Sequence, residues 1–385
     1  MDKIKLLAVF GTRPEAIKMA PLVRELKKRE AFHCEVAVTA QHRQMLDQVL
    51  SLFDVVPDYD LDIMTERQTL FDITARALRG LEKVLEKSGP DMVLVHGDTT
   101  TTFVGALAAF YMHIKVGHVE AGLRTRNKWL PFPEEMNRKL TGSLADLHFA
   151  PTLTAKQNLL NEGVGEAGIF VTGNTVIDAL KTTVKRDFTF STEILNRLDY
   201  KNNKVVLVTA HRRENLGEPL RNICMGLLDL VEKNPDVVVV YPVHLNPAVR
   251  GVACSILGGH DRVVLLPPLD TAEMHNVMAR CYMVMTDSGG LQEEAPSLGK
   301  PVLVLRTETE RPEAVKAGTV KVIGTGRRSI FEEAERLLSD RSEYDKMANA
   351  VNPYGDGLAS QRIADAILYY FGLTGTMPEE FDSRI

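Results

Sequence analysis

Cysteine is scarce in this chain. Four residues, Cys34, Cys224, Cys254 and Cys281, are scattered over 385 positions with no Cys-x-x-Cys pair. That spacing argues against a disulfide framework and against a structural zinc, and suits separate thiols in a reducing compartment. No apolar run approaches the roughly 18 residues that a membrane helix needs. Charge of one sign is missing as well. The balance of 46 basic against 51 acidic residues, net −5, speaks against a sequence-independent nucleic-acid surface. No Gly-x-Gly-x-x-Gly follows the first apolar run, and no Walker A sequence, Gly-x-Ser-x-Gly elbow or metal-ligand spacing occurs. Neither a cofactor nor a metal is therefore expected. The start, Met1-Asp2-Lys3-Ile4-Lys5, lacks a secretory pattern, so a cytoplasmic location is expected.

What is present is an ordinary globular composition, 44% hydrophobic and 25% charged, in a chain longer than one core usually spans. Apolar runs alternate with amphipathic stretches, the pattern of stacked βαβ units. In the first half, strands are expected at 4–10, 34–40, 92–96, 116–120, 148–150 and 169–171. In the second half they are expected at 204–209, 237–242, 263–266, 282–286, 301–305 and 320–323. The pattern lapses between Gly173 and Asn203. The expected fold class is α/β, with two Rossmann-like doubly wound parallel-sheet domains facing across a cleft. The domains are placed at 1–172 and 173–358, and a last helix within 359–385 could return to the first domain. Active groups should then lie at the carboxyl ends of strands.

The most informative stretch is Thr286-Asp287-Ser288-Gly289-Gly290, between an apolar run and a helix expected to start near Leu291. Free N–H groups at Ser288, Gly289 and Gly290 would face an anion at the helix N-terminus, and two glycines allow a pyrophosphate close approach. Glu294, one turn on, is placed for a ribose diol. A strand-to-helix turn with glycine for conformational reasons alone is the bland alternative. Gly11-Thr12-Arg13, with Lys18 a turn further, reads as a second anion-friendly corner, although Lys18 could be a solvated helix charge.

Three carboxylates stand at strand or loop ends: Asp98 in His-Gly-Asp-Thr, Glu120 in His-Val-Glu-Ala-Gly, and Glu134 in Pro-Phe-Pro-Glu-Glu. A charge at the end of a buried strand is costly unless something uses it. Each also has a structural role open to it: Asp98 as a helix N-cap, Glu134 in a first helical turn, Glu120 paired with Arg124. His211 beside Arg212 and Arg213 suits a polyanion. His244 is a weaker candidate of the same kind. Arg306 and Arg311 could reach a nucleotide or pair with neighbouring glutamates.

Seven blocks in one order resemble the non-hydrolysing UDP-N-acetylglucosamine 2-epimerases over essentially the whole chain. They are Gly-Thr-Arg-Pro-Glu (11–15), His-Gly-Asp-Thr (96–99), His-Val-Glu-Ala-Gly-Leu-Arg-Thr (118–125), Pro-Glu-Glu-Met-Asn-Arg (133–138), Thr-Gly-Asn-Thr-Val-Ile-Asp (172–178), His-Arg-Arg-Glu-Asn (211–215) and Thr-Asp-Ser-Gly-Gly-Leu-Gln-Glu-Glu (286–294). The resemblance implies a fold of the GT-B type, with the last helix on the first domain. It implies interconversion of UDP-GlcNAc and UDP-ManNAc through elimination of UDP, in a homodimer that supplies cell-surface polysaccharide synthesis. Asp98, Glu120 and Glu134 would move protons, with His211 beside the pyrophosphate. Arg13, Lys18, Arg212, His244, Ser288, Gly289, Gly290, Glu294 and Arg311 would hold nucleotide and sugar. Some bacterial members bind a second, activating UDP-GlcNAc, for which Gln41, Gln44, Arg67, Arg212 and His244 look like the residues used. A hydrolysing epimerase, a GT-B glycosyltransferase or a non-catalytic sensor are the competing readings.

Overall fold

The computed structural model describes residues 3–40, 43–65 and 68–382. Thirteen strands among them form two all-parallel sheets. In the first half these are β1 (Ile4–Phe10), β2 (Phe32–Val38), β3 (Tyr59–Asp60), β4 (Met92–His96), β5 (Lys115–Val119), β6 (Leu147–Ala150) and β7 (Ile169–Val171). In the second half they are β8 (Lys204–Thr209), β9 (Val237–Pro242), β10 (Val263–Leu266), β11 (Met283–Thr286), β12 (Val302–Val304) and β13 (Val320–Val322). The sheet orders are β3-β2-β1-β4-β5-β6-β7 and β10-β9-β8-β11-β12-β13. Two parallel-sheet α/β domains are thus what the alternating pattern implied.

The first sheet is covered on both faces, which is why its strands read as continuous apolar runs. Leu6, Ala8 and Phe10 of β1 share a core with Met19, Leu22 and Leu26 of the Arg13–Lys28 helix and with Ile363 and Ile367 of the Ala359–Tyr370 helix. Leu7 and Val9 point the other way, onto Leu81 of the Leu70–Ser88 helix and Val104 of the Thr100–Tyr111 helix. Truncating one such buried leucine costs about 2–5 kcal/mol. In the second sheet Val206 and Val208 pack with Ile223 and Leu227 of the Glu218–Lys233 helix and Ile330 of the Arg327–Ser339 helix.

The chain divides into two compact units. The first runs to Thr182 and resumes at Tyr354; the second spans Thr183–Pro353. These divisions differ from 172/173 and 358/359, the points where the apolar pattern lapses and the last helix begins. The Thr175–Thr183 helix stays with the first unit up to Thr182, because its Ala179 joins that core. Asp178 also accepts from the N–H groups of Ala359 (3.2 Å) and Ser360 (2.8 Å), capping the returning helix. Asn174 N–H donates to the Tyr354 carbonyl at 2.7 Å, which draws residues 354–358 to the same unit. No helix among the described residues is long and apolar enough to cross a membrane.

Each sheet order has one switch point, between β1 and β4 in the first and between β8 and β11 in the second. There the connections leave in opposite directions and open a crevice beyond the strand ends. The loops after these four strands, and after β5, carry the groups described next.

Candidate functional site

After β1 the backbone passes so close to its neighbours that only glycine fits. A Cβ at Gly11 would lie 2.0 Å from Thr39 Oγ1. Glu15 then closes the turn. Its Oε2 accepts from Gly11 N (3.1 Å), Thr12 N (2.8 Å) and Thr12 Oγ1 (2.7 Å), and its Oε1 from Thr99 Oγ1 (2.7 Å) and Thr102 Oγ1 (3.1 Å). Glu15 therefore ties the β1 loop to the β4 loop across the switch point. Burial pushes its carboxyl up, while the Thr99, Thr12 and Gly11 bonds pull the other way. The Gly11 and Thr12 amides are thus spent on an internal carboxylate, which corrects the picture of a second open anion corner. Arg13, exposed at the head of the helix, makes no ion pair among the described residues and is the group left for an outside anion.

Glu120 follows β5 with φ of +61°, a left-handed backbone that is uncommon outside glycine and characteristic of functional positions. Its Oε2 accepts from Asn174 Nδ2 (2.8 Å) and is ion-paired with Lys18 Nζ. Lys18 is therefore a partner of Glu120 rather than a solvated charge. Arg124, the partner considered from sequence, goes to Glu162 instead, with bonds of 3.0 and 2.8 Å. His96 Nε2 lies 3.8 Å from Glu120 Oε2, and neither ring nitrogen of this buried imidazole has a hydrogen-bond partner among the described residues. Burial holds the His96 pKa down to about 4; Glu120 opposes that and Lys18 adds to it. The ring is neutral at neutral pH.

Asp98 is not the helix cap. Thr99 takes that place, accepting from Thr102 N at 3.1 Å, and leaves the Asp98 carboxylate to Arg138 at 2.6 Å. Asn137 Nδ2 also donates to the Asp98 carbonyl at 2.9 Å. Arg138 bonds Glu135 at 3.1 Å, which in turn accepts from the N–H groups of Thr125 and Arg126. Burial opposes charge on Glu135, but these donors outweigh it and hold the carboxyl below its ordinary value. Glu134 opens the same helix (Glu134–Leu144), and its Oε2 is buried without a hydrogen-bond partner among the described residues. The carboxylate-bearing loops after β4 and β5 lie side by side, since those strands pair and Glu120 Oε1 comes within 3.7 Å of a Cβ built on Gly97. Asn137 and Arg138 bind the helix headed by Glu134 to that edge.

In the second unit Asp287 plays the part that Glu15 plays in the first. It is fully buried, and its Oδ2 accepts from His211 N (2.7 Å), Arg212 N (2.8 Å) and Asn215 Nδ2 (3.0 Å). Its Oδ1 lies 3.5 Å from His211 Nδ1. His211 stacks on His244, with ring centroids 5.4 Å apart and planes 10° from parallel. Burial draws the His211 pKa below its ordinary value, Asp287 opposes that, and His244 and Arg212 reinforce it.

The glycine helix starts at Gly289, two residues earlier than expected, with Ser288 as N-cap. The Ser288 N–H is not open, because it donates to Thr286 Oγ1 at 2.9 Å. The amides of Gly289 and Gly290 have no acceptor among the described residues. Two guanidinium groups converge on them: a Cβ at Gly289 would sit 3.6 Å from Arg311 Nη2 and 4.0 Å from Arg212 Nη2. Arg311 is steadied by Glu293, whereas Arg306 pairs with Glu214 at 2.6 Å. Glu294 turns Oε1 toward Gly290, 3.2 Å from a Cβ built there, and its Oε2 lies 3.4 Å from His275 Nε2. Amides, two cations and a carboxylate one turn on make a corner that can take a polyanion with a hydrogen-bond donor beside it.

Gln41 and Arg67 lie outside the described residues, as does the side chain of Gln44. Glu15, Asn174, Arg138, Asp287 and His275 have no site role in the sequence reading. The resemblance blocks contain the first four, but their contacts span distances along the chain that no local pattern reveals.

The chain matches the family model described as UDP-N-acetylglucosamine 2-epimerase over residues 24–368. It is 57% identical over 384 residues to the UDP-N-acetylglucosamine 2-epimerase of Bacillus subtilis, covering 100% of both chains. Among solved structures, a Listeria monocytogenes protein provisionally given the same name superposes with a TM-score of 0.94 at 55% identity, covering 99% of this chain and 100% of that one. The S. aureus MnaA–UDP co-structure superposes with a TM-score of 0.87 at 53% identity, covering 98% and 100%.

Proposed function

The chain belongs to the UDP-N-acetylglucosamine 2-epimerase family, and we propose that it is a non-hydrolysing member that interconverts UDP-GlcNAc and UDP-ManNAc. One observation supports the C2 chemistry beyond membership. A carboxylate on a left-handed backbone, Glu120, is gripped by Lys18 and Asn174, and the Asp98 and Glu134 elements adjoin it. A nucleotide site needs no such set, whereas proton removal and return at a sugar carbon does.

The chemistry follows from the substrate. C2 of the sugar has no neighbouring ketone to acidify its proton, so direct deprotonation is slow. Cleavage of the C1–O bond gives C1 oxocarbenium character, and the C2 proton then leaves to a carboxylate. The products are UDP and 2-acetamidoglucal. Delivery of a proton to the opposite face of C2, with re-addition of UDP at C1, inverts that centre. Asp98, Glu120 and Glu134 serve these transfers. Arg138 orients Asp98, and Lys18 acts through Glu120 rather than on a phosphate.

The Gly289 and Gly290 amides, Arg212, Arg311 and His211 stabilise the charge that develops on departing UDP, with Arg13 as a further cation. Removal of one such donor typically costs about 10²–10³ in rate. The S. aureus relative is a co-structure with UDP, which supports a UDP site in this chain. Glu294 accepts from the ribose hydroxyls, and His244 supports His211 by stacking. The product supplies cell-surface polysaccharide synthesis, and the enzyme works as a cytoplasmic homodimer. A second, activating UDP-GlcNAc engages Arg212 and His244, with Gln41, Gln44 and Arg67.

Nucleotide chromatography after incubation with UDP-GlcNAc tests the proposal. UDP-ManNAc should accumulate to a constant ratio with almost no free UDP. Stoichiometric UDP and free ManNAc would replace the non-hydrolysing reading with the hydrolysing one.

A further inference from the structure

We propose that His275 is a positioning residue that sets selectivity for a ribose diol, acting through Glu294. This rests on the reading of Glu294 as the acceptor for the ribose hydroxyls.

His275 lies on the Thr271–Arg280 helix, is 3% exposed and belongs to none of the groups that handle charge or protons above. Its Nδ1 is 2.7 Å from Thr183 Oγ1, and its Nε2 is 3.4 Å from Glu294 Oε2. A hydroxyl can donate or accept, so Thr183 tolerates either tautomer, but the carboxylate does not. A lone pair on Nε2 would face the negative oxygens, so the proton belongs on Nε2 and Thr183 donates to Nδ1. The two oxygens of Glu294 are thereby distinguished. Oε2 rests against a buried N–H, and Oε1 is turned to the Gly290 backbone, 3.2 Å from a Cβ position there.

Gly290 is one of the two residues of that first helical turn whose amides have no acceptor among the described residues. A glutamate side chain left to itself samples several rotamers, and fixing it ahead of binding removes an entropic cost from recognition. The 3.4 Å separation exceeds a full hydrogen bond, so the imidazole guides the carboxylate without saturating it. A lone pair on Oε2 stays available beside Oε1, which suits two vicinal hydroxyls. A His275 that merely filled space would support the fold but would not distinguish a diol from a deoxyribose.

The test is the affinity of the full-length protein for UDP and for 2′-deoxy-UDP, measured by calorimetry. Wild type should favour UDP by on the order of tenfold. Glu294→Gln and His275→Asn, whose short amide reaches Thr183 but not Glu294, should bring the ratio close to one. His275→Gln, whose longer amide can present an N–H to Glu294, should restore most of it. If His275→Asn does not fold, Thr183→Val carries the test and should narrow the ratio in part. A wild-type ratio in Glu294→Gln would overturn the ribose reading and this inference together. Loss in Glu294→Gln with an unchanged ratio in folded His275→Asn, or in Thr183→Val where that stands in, would overturn the role of His275 alone.

Discussion

Asp287 presents Oδ1, which has no hydrogen-bond partner among the described residues, to His211 Nδ1 at 3.5 Å, while its Oδ2 binds the His211 and Arg212 amides. A carboxylate oxygen with no exposure and no donor is costly, and the imidazole is the group placed to relieve it. Asp287 also opposes the burial that disfavours the imidazolium, so the protonated ring keeps its Nδ1–H on Oδ1 and leaves Nε2–H for the charge on departing UDP. In Asp287→Asn the amide oxygen can keep the backbone N–H groups, but the negative charge that favours the His211 imidazolium is gone. Turnover should fall on the order of a hundredfold, with UDP affinity within about threefold of wild type on calorimetry. Wild-type turnover in a folded Asp287→Asn would contradict the role given to this pair.

Glu120→Gln and Asp98→Asn keep the shape of the two side chains and remove the carboxylates. Each should lower turnover by about 10²–10⁴-fold and leave UDP binding nearly intact, because the nucleotide corner is built from other residues. A double variant with full activity would end the assignment of proton transfer to these groups.

Gly290→Val should abolish UDP binding while leaving the fold. A Cβ there already meets Glu294 Oε1 at 3.2 Å, and the two methyls of valine would stand over the open amides. Unchanged affinity in a protein with a wild-type melting temperature would remove the phosphate corner from the account.

Stability should fall in mild acid. Burial holds the His96 and His148 pKa values down to about 4 and that of His118 down to about 3. Their unfolded values are about 6.5. As pH falls, the unfolded chain takes up protons that the folded chain refuses. The stabilisation is thus complete above about pH 6.5 and is lost toward pH 4. His118 and His148 use Nε2 on the carbonyls of Gly97 (2.8 Å) and Gly142 (3.1 Å), so each neutral ring can donate one bond. Melting temperature should be level from pH 8 to 7 and drop steadily from pH 6 to 4.5, less steeply in His148→Gln. A level profile down to pH 5 would show that these rings accept a proton without cost.

The sheets were legible because each buried strand is an apolar run and each crossover carries helical periodicity. β3 was not, since two residues, Tyr59 and Asp60, paired at the edge with Ala37 and Val38, make no run at all. The strand-end location of Asp98, Glu120, His211 and Asp287-Ser288-Gly289-Gly290 followed from the same pattern. What sequence did not disclose is who holds them. Asn174 reaches Glu120 across 54 positions, Arg138 reaches Asp98 across 40, and Glu15 reaches Thr99 across 84. Local propensity also left Asp98 open as a helix cap and the Ser288 N–H open to an anion, but Thr99 takes that cap and Thr286 Oγ1 accepts the Ser288 N–H.

The most direct test of the central claim is proton NMR of UDP-GlcNAc with the pure protein in deuterium oxide. The account predicts UDP-ManNAc carrying deuterium at C2, deuterium also entering the UDP-GlcNAc pool, and little free UDP. UDP-ManNAc formed with its C2 hydrogen fully retained, or no epimer at all from a protein that binds UDP, would contradict it.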